Sequence, residues 1–281
     1  MYMRRKKGIR SLFVHLGLAL TSFLLAFPFL WMFTNSVKTK AEIWAAPPRL
    51  LPAVAQWNNY ADALADGTFL MYMWNSAYTA VIITVIMLFN SAMFAYALTN
   101  IRFRGKTILL SLIMVTYIMP ATTTYVPSYV ILSKMGLMNT HLGYMISSCA
   151  SIFNIFFLRT TFSQIAPGIV EAARIDGAGH WKILWWVLAP MSKAAFVTLG
   201  LLSFLGCYNS YLWPSLLLRR KEKYLVSMGL QAFFTAEGAY GLKWGTIMAA
   251  CCVIVFPLLL LFLFGQRWIL NGITSDSAVK E

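Results

Sequence analysis

Acidic residues are scarce in this chain. Nine Asp and Glu stand among 281 residues, against 23 Lys and Arg, and charged residues together make up 11%. Soluble domains carry about 25%, so an ordinary water-soluble domain is excluded. Histidine is scarcer still. His15, His141 and His180 are dispersed, share no ligand spacing and have no nucleophile beside them. That argues against a metal centre and against an enzyme. The cysteines Cys149, Cys207, Cys251 and Cys252 lie in apolar runs without metal-ligand spacing, and read as small buried hydrophobes. The centres of the long apolar runs hold almost no ionisable group. Proton- and sodium-coupled transporters usually need such groups, although carbonyls of broken helices also bind sodium.

What is abundant is apolar surface, 59% of the residues. Six runs, approximately 12–34, 73–98, 107–132, 142–162, 194–218 and 244–266, reach the ~20 residues that cross a bilayer. All six are expected to be helices, because lipid offers no partner to backbone polar groups. Pro28, Pro120, Pro127, Pro214 and Pro257 fall within or near them, and suggest kinks. The net charge of +14 could suggest nucleic acid. The basic residues are instead scattered among membrane-length runs, so no nucleic-acid partner is expected. The opening "MYMRRKKGIRS" looks like the start of a signal peptide. Its apolar run continues to about Phe33 with no small-residue cleavage site after it, so it reads as a retained first transmembrane helix.

Basic residues orient the spans. With the N-terminus inside, fourteen of the 23 Lys and Arg fall on the cytoplasmic side. The resulting organisation is a cytoplasmic N-terminus over 1–11, a first span over 12–34 and an extracytoplasmic loop over 35–72. A five-span core follows over 73–266, then a cytoplasmic tail over 267–281. The core carries a cytoplasmic loop, 163–193, and an outer loop, 219–243. The "RRKEK" cluster (Arg219–Lys223) lies outside in this scheme; a five-span scheme would place it inside only if one run did not cross. The outer segments hold nine basic and five acidic residues. A positive outer face suits an acidic partner protein, an anionic solute or lipid headgroups.

The polar island "EAARIDGAG" (Glu171–Gly179) interrupts the apolar pattern. The spacing predicts two short helices, the first opened by Pro167 and Gly168 and closed by a left-handed Gly177. The second covers "HWKILWWVLA" and ends near Pro190. Ala172 and Ala173 keep the first helix low in profile, and Glu171 and Asp176 add negative charge. Such a surface fits a cleft on another protein; an amphipathic connector with solvated charges is the alternative.

The stretch "EAARIDGAGHWKILWWVLAP" resembles the EAA loop of ABC-importer permeases: Glu-Ala-Ala, three residues, Gly, nine residues, then Ile-x-Leu-Pro. Glu171, Ala172, Ala173, Gly177 and Pro190 match it, while Val187 and Ala189 replace the Ile and the Leu. "ARIDGA", "MPATTTYVPSYVILSKMGLMNTHLGY", "YNSYLWPSLLL" and "QRWILNGITSDSAVK" resemble the carbohydrate, maltose-type branch. The resemblance implies an all-α membrane protein with six transmembrane helices and the type I importer permease fold, in a bacterial plasma membrane. It implies ATPase coupling through Glu171, Ala172, Ala173, Asp176 and Gly177. The partners implied are a homologous second permease, two ATPase subunits, an extracellular or periplasmic binding protein and membrane lipid.

No catalytic residue, metal or cofactor is expected in this chain. "NIRFRGKT" (Asn100–Thr107) ends like a phosphate-binding loop but has Asn100 where the first glycine belongs, and it follows no strand. ATP and Mg would be bound by the partner ATPase. Asn209, Tyr211 and Trp213 join an aromatic face to amide donors and form a candidate substrate path. Asn75, Asn90, Asn154, Ser203 and Ser210 read more readily as interhelical hydrogen-bonding groups. Phe234, Thr235, Glu237 and Gly238 form a candidate contact with the binding protein. The solute expected is an oligosaccharide, with another solute such as glycerol phosphate as the alternative and a stand-alone secondary transporter as the more distant one.

Overall fold

The fold is taken from a computed structural model of the chain, which describes residues 2–65, 67–236 and 243–278. Every regular element among the described residues is helical. Three single helices are long and apolar enough to cross a membrane: Phe13–Ser36, Thr68–Asn100 and Trp244–Gln266. Three bent pairs bring the number to six if each pair is one span. The helices used below are α1 (Tyr2–Ser36), α2 (Thr68–Asn100), α3 (Lys106–Ile118), α4 (Tyr125–Lys134), α5 (His141–Ser148) and α6 (Ile152–Gln164). They are followed by α7 (Pro167–Ile175), α8 (His180–Met191), α9 (Lys193–Tyr208), α10 (Leu212–Leu217), α11 (Val226–Ala236) and α12 (Trp244–Ala278).

The chain divides into two units. One comprises residues 1–67 and 230–256, the other 68–229 and 257–281. In the first unit, α1 continues through Pro28 and most of its apolar side chains are exposed. The segment after it is held by polar groups. Asn59 donates through Nδ2 to the carbonyls of Ser36 and Lys38, at 2.9 and 3.1 Å, and the Ser36 hydroxyl meets Tyr60 Oη at 2.8 Å. Gly245 packs against this knot, where an added Cβ would lie 2.6 Å from Asn59 Nδ2. Lys38, counted among the outer charges in the sequence, is buried. Its ammonium donates to Asn35 Oδ1 and the Arg49 carbonyl and lies 4.8 Å from the Trp31 ring centroid. Burial pushes its pKa down, and the Glu42 carboxylate opposes that shift.

In the second unit, α2 is the axis, and α6 and α9 pack along it. Its inward stripe reads Ala80, Ile83, Met87, Ala92, Ala95 and Tyr96. These side chains recur at helical spacing. Small residues there let neighbouring helices approach closely. Two apolar clusters form along it. One gathers Ile83, Met87, Leu132, Tyr144, Trp213 and Leu217. The other gathers Ala95, Tyr96, Leu158, Phe162, Val170, Ile183 and Leu188.

Two asparagines of the spans reach from one helix to a neighbouring segment. Asn154 Nδ2 donates to Ser203 Oγ at 2.9 Å, and Asn90 Nδ2 to the Cys149 carbonyl at 3.3 Å. The fourth run breaks between α5 and α6, where Ser151 caps α6 by accepting from the Asn154 amide. That is the usual role of serine at a helix start. The run expected over 194–218 is likewise divided. α9 stops at Tyr208, the chain turns through Asn209–Tyr211, and α10 begins at Leu212. Pro214 lies in the first turn of α10, where its missing N–H costs nothing.

Candidate functional site

The loop between α6 and α9 is the most distinctive surface of the second unit. Pro167 sits at the first position of α7, as its fixed φ favours. The helix ends in a Schellman arrangement: the Ala178 amide bonds the Ala173 carbonyl at 2.9 Å, and the Gly177 amide bonds that of Arg174 at 3.0 Å. Gly177 takes φ +78°, the left-handed conformation its place after the helix predicts.

α7 has two faces. Val170 is buried, and Ala173 and Ala178 pack partly buried against the same cluster. The opposite face exposes Glu171, Ala172 and Ile175, with Asp176 exposed just after the helix; Arg174, one turn from Val170, is exposed at the edge of the buried face. The carboxylates of Glu171 and Asp176 point to no partner among the described residues. Ile175 is 86% exposed, the most exposed large apolar side chain described. The sequence reading missed it, although its spacing of four from Glu171 puts both on one face. Among the predicted residues, the structure therefore brings Glu171, Ala172 and Asp176 to the surface and turns Ala173 inward.

α8 runs back from the turn and contains a π-helical stretch, Ile183–Leu188. Ile183, Leu184 and Leu188 are buried in it, and Trp185 stacks on Phe89 of α2 with centroids 5.5 Å apart. The wider turn accommodates bulky side chains against one helix face; such stretches often mark functional segments.

The other predicted residues separate. Asn209 and Tyr211 are exposed at the break between α9 and α10. The Asn209 carbonyl accepts the Ser227 hydroxyl at 3.1 Å. Trp213 is buried, stacks on Tyr125 at 5.0 Å and donates its indole N–H to Ser147 Oγ at 2.9 Å. Phe234 lies partly buried with its ring edge-on to Trp244, at 6.1 Å. Thr235 is in the last turn of α11, and Glu237 and Gly238 lie outside the described residues. The stretch read as a loop over 219–243 is thus helical through α11.

The basic turn before α11 is pinned from beneath. Asn139, at φ +55°, accepts the amides of Arg219 and Arg220 through Oδ1, and its carbonyl accepts Lys223 Nζ at 2.9 Å. Arg219 also reaches Tyr129 Oη. Arg220 and Lys221 remain exposed to solvent. The "RFRGKT" segment is a plain connector: Gly105, at φ +85°, caps α3 and Lys106 turns back toward the Thr99 carbonyl.

Residues 91–274, which contain the loop, α7 and α8, match the family of binding-protein-dependent transport system inner membrane components. The chain belongs to this family. The permease is 30% identical over 265 residues to the diacetylchitobiose uptake system permease protein NgcG of Streptomyces coelicolor, covering 94% of this chain and 87% of that one. It is 28% identical over 278 residues to the sn-glycerol-3-phosphate transport system permease protein UgpE of Brucella abortus, covering 96% and 98%. Its structure is similar to a chain in the crystal structure of a bacterial ABC transporter involved in the import of the acidic polysaccharide alginate. The TM-score is 0.82 at 25% identity, over 94% of this permease and 97% of that chain. The fold is the type I importer permease fold, and the membership is that of a transport subunit.

Proposed function

We propose that this permease forms half of the translocation path of an ATP-driven importer for an oligosaccharide. It pairs with a homologous permease, two ATPase subunits and a binding protein, and both its termini face the cytoplasm. ATP and Mg belong to the ATPase chains. The observation that carries the reading is α7, a helix with its inner face buried and its outer face presenting Glu171, Ala172, Asp176 and a bare Ile175. An exposed apolar side chain flanked by two carboxylates suits a partner pocket with an apolar floor and a basic rim, since complementary charge favours the encounter. Asn209 and Tyr211 line the path beside the break in the fifth run, with Trp213 behind them, and Phe234, Thr235, Glu237 and Gly238 are the residues proposed to contact the binding protein. The sugar reading follows the diacetylchitobiose and alginate systems; the glycerol-phosphate relative keeps a phosphorylated solute as the second reading.

The test is the assembled importer in vesicles. Glu171→Ala should abolish most uptake while the chain still inserts. Losing one partner of a buried charge pair costs about 2–5 kcal/mol. Gly177→Val should do the same by straining the left-handed turn. Normal uptake by both variants would contradict the coupling role.

A further inference from the structure

The last turn of a helix leaves carbonyls with no partner inside the helix. At the end of α2, one of them, the Asn100 carbonyl, accepts Arg174 Nη2 from α7 at 3.0 Å. A cation there also complements the helix dipole. One turn earlier, Tyr96 is 4% exposed, and its hydroxyl is hydrogen-bonded to His180 Nδ1 at 2.7 Å. The two rings meet edge to face, with centroids 5.8 Å apart. Arg174 lies in the last turn of α7 and His180 opens α8. The two bonds therefore grip the loop on both sides of the Gly177 turn. Val170 and Ala173 add apolar contact to that hold. Apolar contact is non-directional and permits sliding, whereas hydrogen bonds fix position through distance and angle.

The far end of α2 is fastened in the same manner. Asn75 Nδ2 donates to the carbonyls of Glu222 and Tyr224, at 2.9 and 3.0 Å. Ser76 Oγ accepts the Val226 amide at 2.8 Å. From Ser76 to Tyr96 the helix spans about 30 Å at its regular rise. One continuous helix thus has hydrogen-bonded clamps at both ends.

We propose that Tyr96, His180 and Arg174 are positioning residues that lock the α7–α8 loop to α2, so that displacing the loop moves α2 as a rod and carries the turn before α11 with it. The proposal rests on the reading of α7 as the helix that docks the ATPase. Coupling of this kind needs an element that moves as one piece, and α2 is a continuous helix hydrogen-bonded to the loop near one end and to the turn before α11 near the other.

Two readouts test the lock in the assembled importer. The first places nitroxide labels at the exposed positions Lys182 and Trp74, on the loop and on the opposite end of α2, and uses ATP with vanadate as the trapping probe. The wild-type distance should be the same with and without trapping. In Tyr96→Phe and in His180→Ala it should shift or broaden on trapping. The second readout is stimulation of ATP hydrolysis by the cognate binding protein. It should fall about two- to tenfold, the range expected for one lost hydrogen bond, with the basal rate unchanged. His180→Asn, whose amide can occupy the Nδ1 position, should restore both. Should Tyr96→Phe fail to accumulate, the exposed His180 variants carry the test. Wild-type distances and stimulation in Tyr96→Phe and His180→Ala would overturn the lock, whatever Glu171→Ala does. Loss in those variants with normal coupling in Glu171→Ala would leave the lock standing and remove the docking role of α7.

Discussion

Tyr211 and Trp213 stand two residues apart and do different work. Trp213 is buried, stacked on Tyr125 and hydrogen-bonded to Ser147; Tyr211 is 42% exposed at a helix break. As sequence they are two aromatics in one polar-aromatic cluster, and only burial separates them. Trp213→Phe should lower stability by about 1 kcal/mol, one net hydrogen bond, and leave the apparent KM for solute unchanged. Tyr211→Ala should alter that KM with little change in melting temperature. A joint thermal-shift and uptake measurement checks both, and the opposite pattern would move the path away from Tyr211. Ile175 is the converse case. In the sequence it is one more apolar residue in an apolar chain, and only its exposure beside Glu171 sets it apart.

At the scale of elements, the loop after α1 is set by a capping box. Thr39 and Glu42 exchange side-chain and backbone bonds, and Glu42 Oε1 also accepts the Ala53 amide at 2.8 Å. The amides of Ala53 and Thr39, with the Thr39 hydroxyl, hold the Glu42 carboxyl below its ordinary value of 4.5. A depressed carboxylate pKa contributes order above 4.5 that is lost as pH falls through the lower, folded value. Proteolysis of the 39–53 segment should therefore be slow at neutral pH and quicken below about pH 4.5, a step that Glu42→Gln removes; an unchanged step in that variant would refute it. The long helices and the Gly177 turn were legible in the sequence because uninterrupted apolar runs and a glycine after an alanine-rich helix have direct physical causes. The break at Asn209–Tyr211 was legible only in part: Pro214 suggested a kink in that run, but not that α9 stops at Tyr208 and that the proline falls in the first turn of a new helix. The π-helical stretch in α8 was not legible: a shift in hydrogen-bond register leaves no mark on composition.

At the scale of the molecule, scarcity of acid gives the few carboxylates their meaning. Two of the nine sit on or just after the exposed face of α7, while the basic turn displays Arg220 and Lys221. The central claim is that the α7 face docks an ATPase chain. Its most direct measurement is photo-cross-linking from benzoylphenylalanine in place of Ile175, in the importer assembled with its partner chains, with products identified by mass spectrometry. The account predicts a product with the ATPase chain, lost when Glu171→Ala is added. A product with the binding protein, or with lipid alone, would contradict it.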